Sequence, residues 1–244
     1  MAALTAAATV ETGETAGGAV SALTGAKTPK GEQTRALILN TALELFRERG
    51  YEETTMRAIA QRAGVALGNA YYYFRSKEHL IQAFYALSHE EHLEAARPVL
   101  EREKDLKERL KGVIYAKIRT SEPYHRFSGI LFKTAADPHS PLSPFSPESS
   151  RTRQESTALF AEVLFGSNTK VPADLAEELP NLLWLYQMGI ILFWIHDESP
   201  GRRRTYTLID HTVDLVARTI GLASNPLLSP LRRRVLALLK DLRS

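Results

Sequence analysis

The sequence predicts an all-α protein with a three-helix helix-turn-helix unit at one end and a larger helical domain after it. Three observations carry this. No stretch alternates polar and apolar residues with period two, so no sheet is expected. Apolar residues recur at helical spacing from Ile38 to Ile220. Residues 54–77, TTMRAIAQRAGVALGNAYYYFRSK, hold two short helical patterns split by a glycine turn, with a further helix starting directly after. The expected units are an arm over 1–30, a head over 31–78, a body over 79–224 and a basic amphipathic helix over 225–244.

Composition narrows the classes. The 244 residues are 44% hydrophobic, enough for a sizeable core. There is no cysteine, which excludes disulfides, thiolate metal sites and a cysteine nucleophile. The formal charge of +3 is mildly basic and does not by itself establish nucleic-acid binding. Residues 1–26 lack the basic start and apolar core of a signal peptide. The longest apolar run, Leu182 to Ile195, is interrupted by Gln187 and is shorter than the ~20 residues a bilayer requires. A soluble, cytoplasmic chain with no membrane partner is expected.

Taken in order, residues 1–30 are rich in Ala, Thr and Gly without apolar periodicity, and read as a disordered tail. The alternative is an arm that brings Lys27 and Lys30 to DNA. Thr34 to Arg49 is the first helix, buried along Ile38, Ala42, Leu45 and Phe46, and Gly50 stands at its stop. Thr54 and Thr55 are N-cap residues for the second helix, whose apolar face is Met56, Ile59 and Ala63. Gly64 suits a left-handed turn. The next helix runs from about Ala66 to Tyr73. Ala66, Ala70, Tyr73 and Phe74 fall on its inner side, and Leu67, Gly68, Asn69, Tyr71 and Tyr72 on the outer. An outward surface of this kind suits the major groove of DNA.

From Thr34 to Phe84 the chain resembles the DNA-binding domain of the TetR family of bacterial regulators. The LFRERGY end of the first helix, TTMRAIA, the AGV turn and the YYYFRSKEHL exit match in order and spacing, over roughly a fifth of the chain. The resemblance implies a homodimeric transcriptional repressor bound to double-stranded DNA at a pseudo-palindromic operator and released by a small hydrophobic effector. Activators use the same domain. Thr55, Tyr71 and Lys77 are expected on phosphates, with Leu67, Gly68, Asn69 and Tyr72 toward base edges. Met56 and Ala66 complete the expected DNA-binding set. Ala66 stands where relatives often carry Ser or Thr, and Leu67 where they often carry Lys. Readout partly through methyl contacts and shape, with a shallow salt slope, is therefore expected.

Ser76 is the expected N-cap of the fourth helix, and Lys77 beside it would make a phosphate clamp. Leu80, Phe84 and Leu87 carry that helix toward the body as a connector. Body helices are expected around Leu106, Leu110, Val113, Ile114 and Ile118, from Phe127 to Leu131, and from Thr157 to Phe165. Between them Pro138, Pro141, Pro144 and Pro147 recur at every third position. A polyproline helix would align them on one edge. The expectation is a stiff loop whose Leu142 and Phe145 cover a pocket, and the alternative is a docking ligand for a protein partner.

Pro180 to His196 is apolar nearly all round and needs cover on every side. Leu208 to Ile220 carries a cleaner stripe. An intersubunit four-helix bundle through Ile191, Ile195, Ile209, Val213, Val216 and Ile220 follows, as the resemblance also implies. Arg202, Arg203 and Arg204 between these helices read as a solvated loop. Effector-lining candidates are Tyr115, Phe127, Phe132, Phe160, Trp184, Gln187, Phe193 and Trp194, with ordinary core as the alternative for each aromatic. Leu231 to Leu242 should pack its leucines on the body. A DNA role for Arg232 to Arg234 is the alternative.

Two rival classes stand beside this reading. One is a DNA-binding regulator without an effector, controlled by abundance or by a protein partner. The other is a metal-dependent enzyme, suggested by His89-Glu90-Glu91-His92. That pair has no evident third ligand and reads as a solvated helix face. The remaining histidines, His79, His125, His139, His196 and His211, are scattered. No catalytic residue, metal or cofactor is expected.

Overall fold

The computed structural model describes residues 28–241, which form helices joined by turns, with no strand among the described residues. The first four are α1 (Pro29–Arg49), α2 (Met56–Arg62), α3 (Leu67–Tyr73) and α4 (Lys77–Arg102). There follow α5 (Leu106–Ser121), α6 (His125–Ala135), α7 (Ser150–Phe165), α8 (Ala173–Ala176), α9 (Leu179–Ile195), α10 (Arg203–Leu222) and α11 (Ser229–Asp241). The first helix starts earlier than expected. Thr28 is its N-cap, accepting from the Gly31 amide, and Pro29 stands in the first turn where a missing N–H costs nothing. Pro29 and Lys30 therefore belong to α1. Residues 1–27 of the predicted arm lie outside the described residues.

Two apolar clusters organise the chain. The head core joins Ile38, Ala42, Leu45 and Phe46 of α1 to Ile59, Ala70, Phe74, Leu80, Ile81 and Phe84. It also takes in Phe127, Leu131 and Ala135 of α6, together with Leu142. Helices α2 and α3, seven residues each, are too short to close the head around α1, and α6 supplies the missing wall. The Phe127 ring stacks on Phe46 at 5.8 Å and meets Phe84 edge-on at 5.2 Å. The body core is built from α5, α7, α9 and α10 with the far end of α4. Helix α4 has 26 residues, about 39 Å of rod. It enters the head core through Leu80, Ile81 and Phe84 and the body core through Ala96 and Leu100.

The proline segment is not a polyproline helix. Residues 137–149 repeat Asp/Ser-Pro-X, and each step closes a turn. Ser140, Ser143 and Ser146 donate their amides to the carbonyls of Asp137, Ser140 and Ser143, each at 3.0 Å. Proline takes the second position of each turn, where its fixed φ fits. The serines line the buried edge, while Pro138, Pro141 and Pro147 are exposed and Pro144 is half-buried. Polyproline geometry has no such bonds. The staircase is fastened to α4, because Gln82 Nε2 donates to the Pro141 carbonyl at 2.9 Å and the Tyr85 hydroxyl to that of Leu142 at 2.9 Å. Leu142 thus seals the head, while the exposed Phe145 rests edge-on against Trp184 at 5.3 Å.

A buried guanidinium locks the body. Arg109 Nε donates to the Val163 carbonyl, Nη2 to that of Glu162, and Nη1 to those of Leu100 and Glu103, at 2.6–2.9 Å. It ties the C-terminal carbonyls of α4 to those of α7, the ends where a cation is favoured. At the C-terminus the predicted packing is only partly realised. Leu236 meets the body core, but Leu231, Val235 and Leu238 are exposed. Arg232 is bonded to Asp174 at 2.8 Å and to the Ala223 carbonyl at 2.7 Å, which anchors α11 to the body.

Candidate nucleic-acid interface

The helix-turn-helix follows from local chemistry. Thr54 is fully buried and donates its hydroxyl to the Gly50 carbonyl at 2.7 Å, closing the turn after α1. Thr55 is the N-cap of α2 and accepts from the Ala58 amide at 3.1 Å. Its hydroxyl proton remains free to donate outward. The turn to α3 is made by Gly64 at φ +68°, with the Val65 amide bonded to the Ala60 carbonyl at 3.0 Å. Arg62 and Glu48 form a two-bond pair at 3.2 and 2.9 Å that ties the ends of α1 and α2 together.

Helix α3 is held from one side only. Ala70 and Phe74 are buried, and the Arg35 guanidinium sits 5.0 Å over the Phe74 ring. Gly68, Asn69, Tyr71 and Tyr72 are exposed, Tyr72 by 64%. A Cβ at Gly68 would meet nothing within 4 Å, so the backbone there is bare. Tyr72 stands edge-on to the half-buried Tyr73 at 5.1 Å, which fixes its ring at the rim.

Several expected interface residues are placed differently. Met56 is buried in the head core and offers no side chain to DNA. Ala66 is exposed as the N-cap of α3 rather than inward, and it gives no side-chain cap bond. Leu67 is half-buried and leans on the head core, so it is not fully outward. Ser76 holds the N-cap position of α4 without a cap bond, its hydroxyl 2.9 Å from His79 Nδ1. The Lys77 amine is not a free clamp. It donates to the Tyr51 carbonyl at 2.7 Å and to the Glu52 carbonyl at 3.3 Å, and lies 4.3 Å over the Tyr51 ring. Tyr51 is fixed in turn by its hydroxyl bond to Glu78 at 3.0 Å. Two exposed cations beside this face, Arg57 and Arg75, did not enter the sequence-based set. Charge next to a helix-turn-helix was the available signal.

The effector candidates do not converge. Phe127 belongs to the head core. Phe160, Trp184 and Trp194 are buried in the body core, and Trp194 Nε1 donates to Glu122 at 2.9 Å. The Tyr115 hydroxyl donates to Asp210 at 2.8 Å between α5 and α10. Phe132 stands half-buried, edge-on to His196 at 6.0 Å. Phe193 is exposed and lines an open cleft of about 940 Å³ with Leu208, His211 and Arg203. Gln187 is buried with its Oε1 unpartnered, the one candidate whose polar atom still lacks a role.

The dimer residues need a sharper correction. Ile209, Val213 and Ile220 are buried within the subunit, because α10 spends its apolar stripe on α5 and α9. Lys107–Asp214 at 3.0 Å and Lys111–Asp210 at 2.6 Å flank that contact. Ile191, Ile195 and Val216 are half-buried against the same core. The exposed apolar stripe on α9 is Leu185, Gly189, Leu192 and Phe193, continued by its C-cap His196, and on α10 the exposed Leu215 and Leu222 flank Arg218. Helical spacing puts each set on one face.

Comparison with known proteins decides the class. The profile of the tetracyclin repressor-like C-terminal domain matches residues 109–236, and that of the tetR family of bacterial regulatory proteins matches residues 38–84. The chain belongs to the TetR family. Among curated relatives, the transcriptional regulator UidR of Escherichia coli K12 is 44% identical over 52 residues, 21% of this chain and 26% of that protein. The transcriptional repressor KstR of Rhodococcus jostii is 48% identical over 50 residues, 20% of this chain and 24% of that protein. The similarity thus spans only about a quarter of those TetR relatives' length. Solved TetR structures extend the fold. One from Syntrophomonas wolfei superimposes with TM-score 0.62 at 18% identity, covering 76% of this chain and 95% of the other. One from Nitrosomonas europaea gives 0.61 at 19%, covering 76% and 98%. The chain is a TetR-family transcriptional regulator with a helix-turn-helix DNA-binding domain, and the relatives it matches are regulators rather than enzymes.

Proposed function

We propose that this chain is a transcriptional repressor that binds a pseudo-palindromic operator as a homodimer and is released by a small hydrophobic effector. The observation that carries the DNA reading is the exposed face of α3. Gly68, Asn69, Tyr71 and Tyr72 stand outward on a helix anchored by Ala70 and Phe74. Asn69 suits bidentate pairing with adenine, and bare backbone at Gly68 permits close approach to the groove. Thr55, Tyr71, Arg57 and Arg75 supply phosphate donors around it. With no lysine at position 67, the operator is read partly through methyl contacts and shape, with few released counterions.

The exposed apolar stripes of α9 and α10 support the dimer. An apolar helix face with an open glycine at its centre suits close packing against a second copy. Two heads on one frame then meet half-sites about 34–36 Å apart. Helix α4 is the rigid link, since it is cemented into both cores. An effector that tilts α4 in the body changes the spacing of the heads, and the operator no longer fits both. Repression is the role named for the relative KstR, a transcriptional repressor. Such a regulator works in the cytoplasm, and no described helix is long and apolar enough to cross a membrane.

A fluorescence-anisotropy titration tests this. The probe is duplex DNA from immediately upstream of the gene, with a shuffled duplex as control, at one fixed salt concentration. Preferential binding by a dimer is expected. Equal, weak binding to both duplexes would reject local specific readout.

A further inference from the structure

The motif that DNA binding leaves unused is Ser88-His89-Glu90-Glu91-His92 on α4. From sequence it reads as solvated, yet Ser88, His89 and His92 are only 7%, 3% and 1% exposed. Helices α5 and α7 cover them. His92 Nε2 lies 2.9 Å from the Val113 carbonyl of α5, so it carries the proton and donates. His89 Nδ1 lies 3.3 Å from the Ser156 hydroxyl of α7, while its Nε2 is buried without a partner. Lys117 of α5 donates to Ser88 Oγ at 2.8 Å and reaches the Ser88 carbonyl at 3.5 Å. It makes none of the ion pairs within 4.0 Å among the described residues.

This arrangement is unbalanced as packing. Lys117 is half-buried, and the Glu91 carboxylate acts on it through space without closing an ion pair. A partly desolvated cation held only by a hydroxyl and a carbonyl is costly, and an unpaired ring nitrogen beside it adds to the cost. Burial pushes the Lys117 amine down to about 8, which leaves it charged at neutral pH, and holds both imidazoles below their ordinary range. If Ser156 donates to Nδ1, the His89 proton sits on Nε2, the atom without a partner. The island is polar toward Lys117 and His89, and apolar beyond, where Val113, Ile114 and Phe160 are fully buried. It reaches the surface at the half-buried Glu91 and Ser156. No group of three ligating side chains suited to a metal exists among the described residues.

We propose that Lys117 and His89 form the head-group end of the effector site, and that the effector is a hydrophobic carboxylic acid. One carboxylate oxygen accepts from Lys117 Nζ and the other from His89 Nε2–H, while the apolar part runs between α5 and α7 toward Phe160. Two donors suit a monoanion with two acceptors. The inference rests on the effector-gated reading and adds a mechanism to it. The carboxylate would bridge α5 to α4, the helix that carries the head.

The test uses the full-length protein. Hexanoate, decanoate, hexadecanoate and benzoate, and the primary amide of each, are titrated by calorimetry into the wild type, Lys117→Met and His89→Phe. DNA release is read in parallel by anisotropy. At least one acid is expected to bind the wild type more than ~tenfold tighter than its amide, and Lys117→Met to abolish that preference. Without ligand, Lys117→Met should melt at the same temperature or higher, since a half-buried, partly desolvated cation is replaced by an apolar chain of similar length. The proposal is overturned if no acid binds, if acids and amides bind equally, or if the preference survives Lys117→Met. It is also overturned if Lys117→Met and Lys117→Gln both lower the ligand-free melting temperature, which would mark the cation as structural. Neutral amides that bind and release DNA would leave the effector-gated reading standing and remove only the head-group assignment. Intact operator binding that no compound weakens would remove both.

Discussion

Replacing Lys77 with methionine separates two roles for one amine. In the head it donates to the Tyr51 carbonyl at 2.7 Å, more weakly to that of Glu52 at 3.3 Å, and lies over the Tyr51 ring at 4.3 Å. A hydrogen bond to a charged group contributes ~1.5–3 kcal/mol, and the low end applies to this half-buried site. The cation over the ring adds ~0.5–1 kcal/mol. Methionine keeps the stem and loses the amine, so the loss should be about 2 kcal/mol. For a chain of this size that lowers the melting temperature by ~4–8 °C. The DNA side is read separately, from the slope of log affinity against log salt. A phosphate contact in each head of a dimer would contribute about 1.8 to that slope, from ~0.9 per phosphate. The strap geometry predicts a lower melting temperature and an unchanged slope. An unchanged melting temperature with a slope reduced by about 1.8 would refute it, and restore the clamp expected from the sequence.

Other perturbations test neighbouring parts. Gly64→Ala places an L side chain at φ +68° with nothing within 4 Å to clash, so only backbone strain of ~1–2 kcal/mol is expected, and unchanged urea stability would contradict that. Leu192→Arg puts a charge in the exposed α9 stripe. Light scattering should then report monomer and operator affinity should drop more than ~tenfold, whereas a persistent dimer would move the interface elsewhere. His92 is held neutral, its pKa pushed down to about 3 by burial and then by Lys117, while the unfolded chain protonates it near 6.5. The unfolded state binds more protons between those values, so stability is full above pH 6.5 and falls as pH falls. The loss from pH 6.5 to 5 should be ~1.5–2 kcal/mol. Urea melts of His92→Gln should lack that component, and an equally steep fall in the variant would assign it to other groups.

The head was legible because its determinants are local. A glycine at φ +68°, threonine caps and a run of outward residues on a short helix each force one geometry. The body was legible as helices and illegible as contacts. The stripe of Ile209, Val213 and Ile220 says that α10 buries a face, but a period cannot say whether the cover is its own α5 or a second subunit. His89 and His92 read as solvated because polar residues usually are, and only the approach of α5 and α7 turns them inward. The proline repeat was ambiguous for a different reason. Every-third spacing suits both an extended helix and consecutive turns, and the deciding residue was the Asp or Ser before each proline. Helix α6 looked like part of the body and became a wall of the head, a long-range pairing that nothing near Phe127 announces.

The central claim is that the outward face of α3 reads base sequence in two symmetric copies. Its most direct test is selection of bound fragments from a random duplex library by the wild type and by Asn69→Ala in parallel. The wild type should enrich an inverted repeat with half-sites about one helical turn apart, or a multiple of it. Asn69→Ala should lose base preference at one position in each half-site and keep the rest. An unchanged motif in the variant, or no motif from the wild type, would contradict the account.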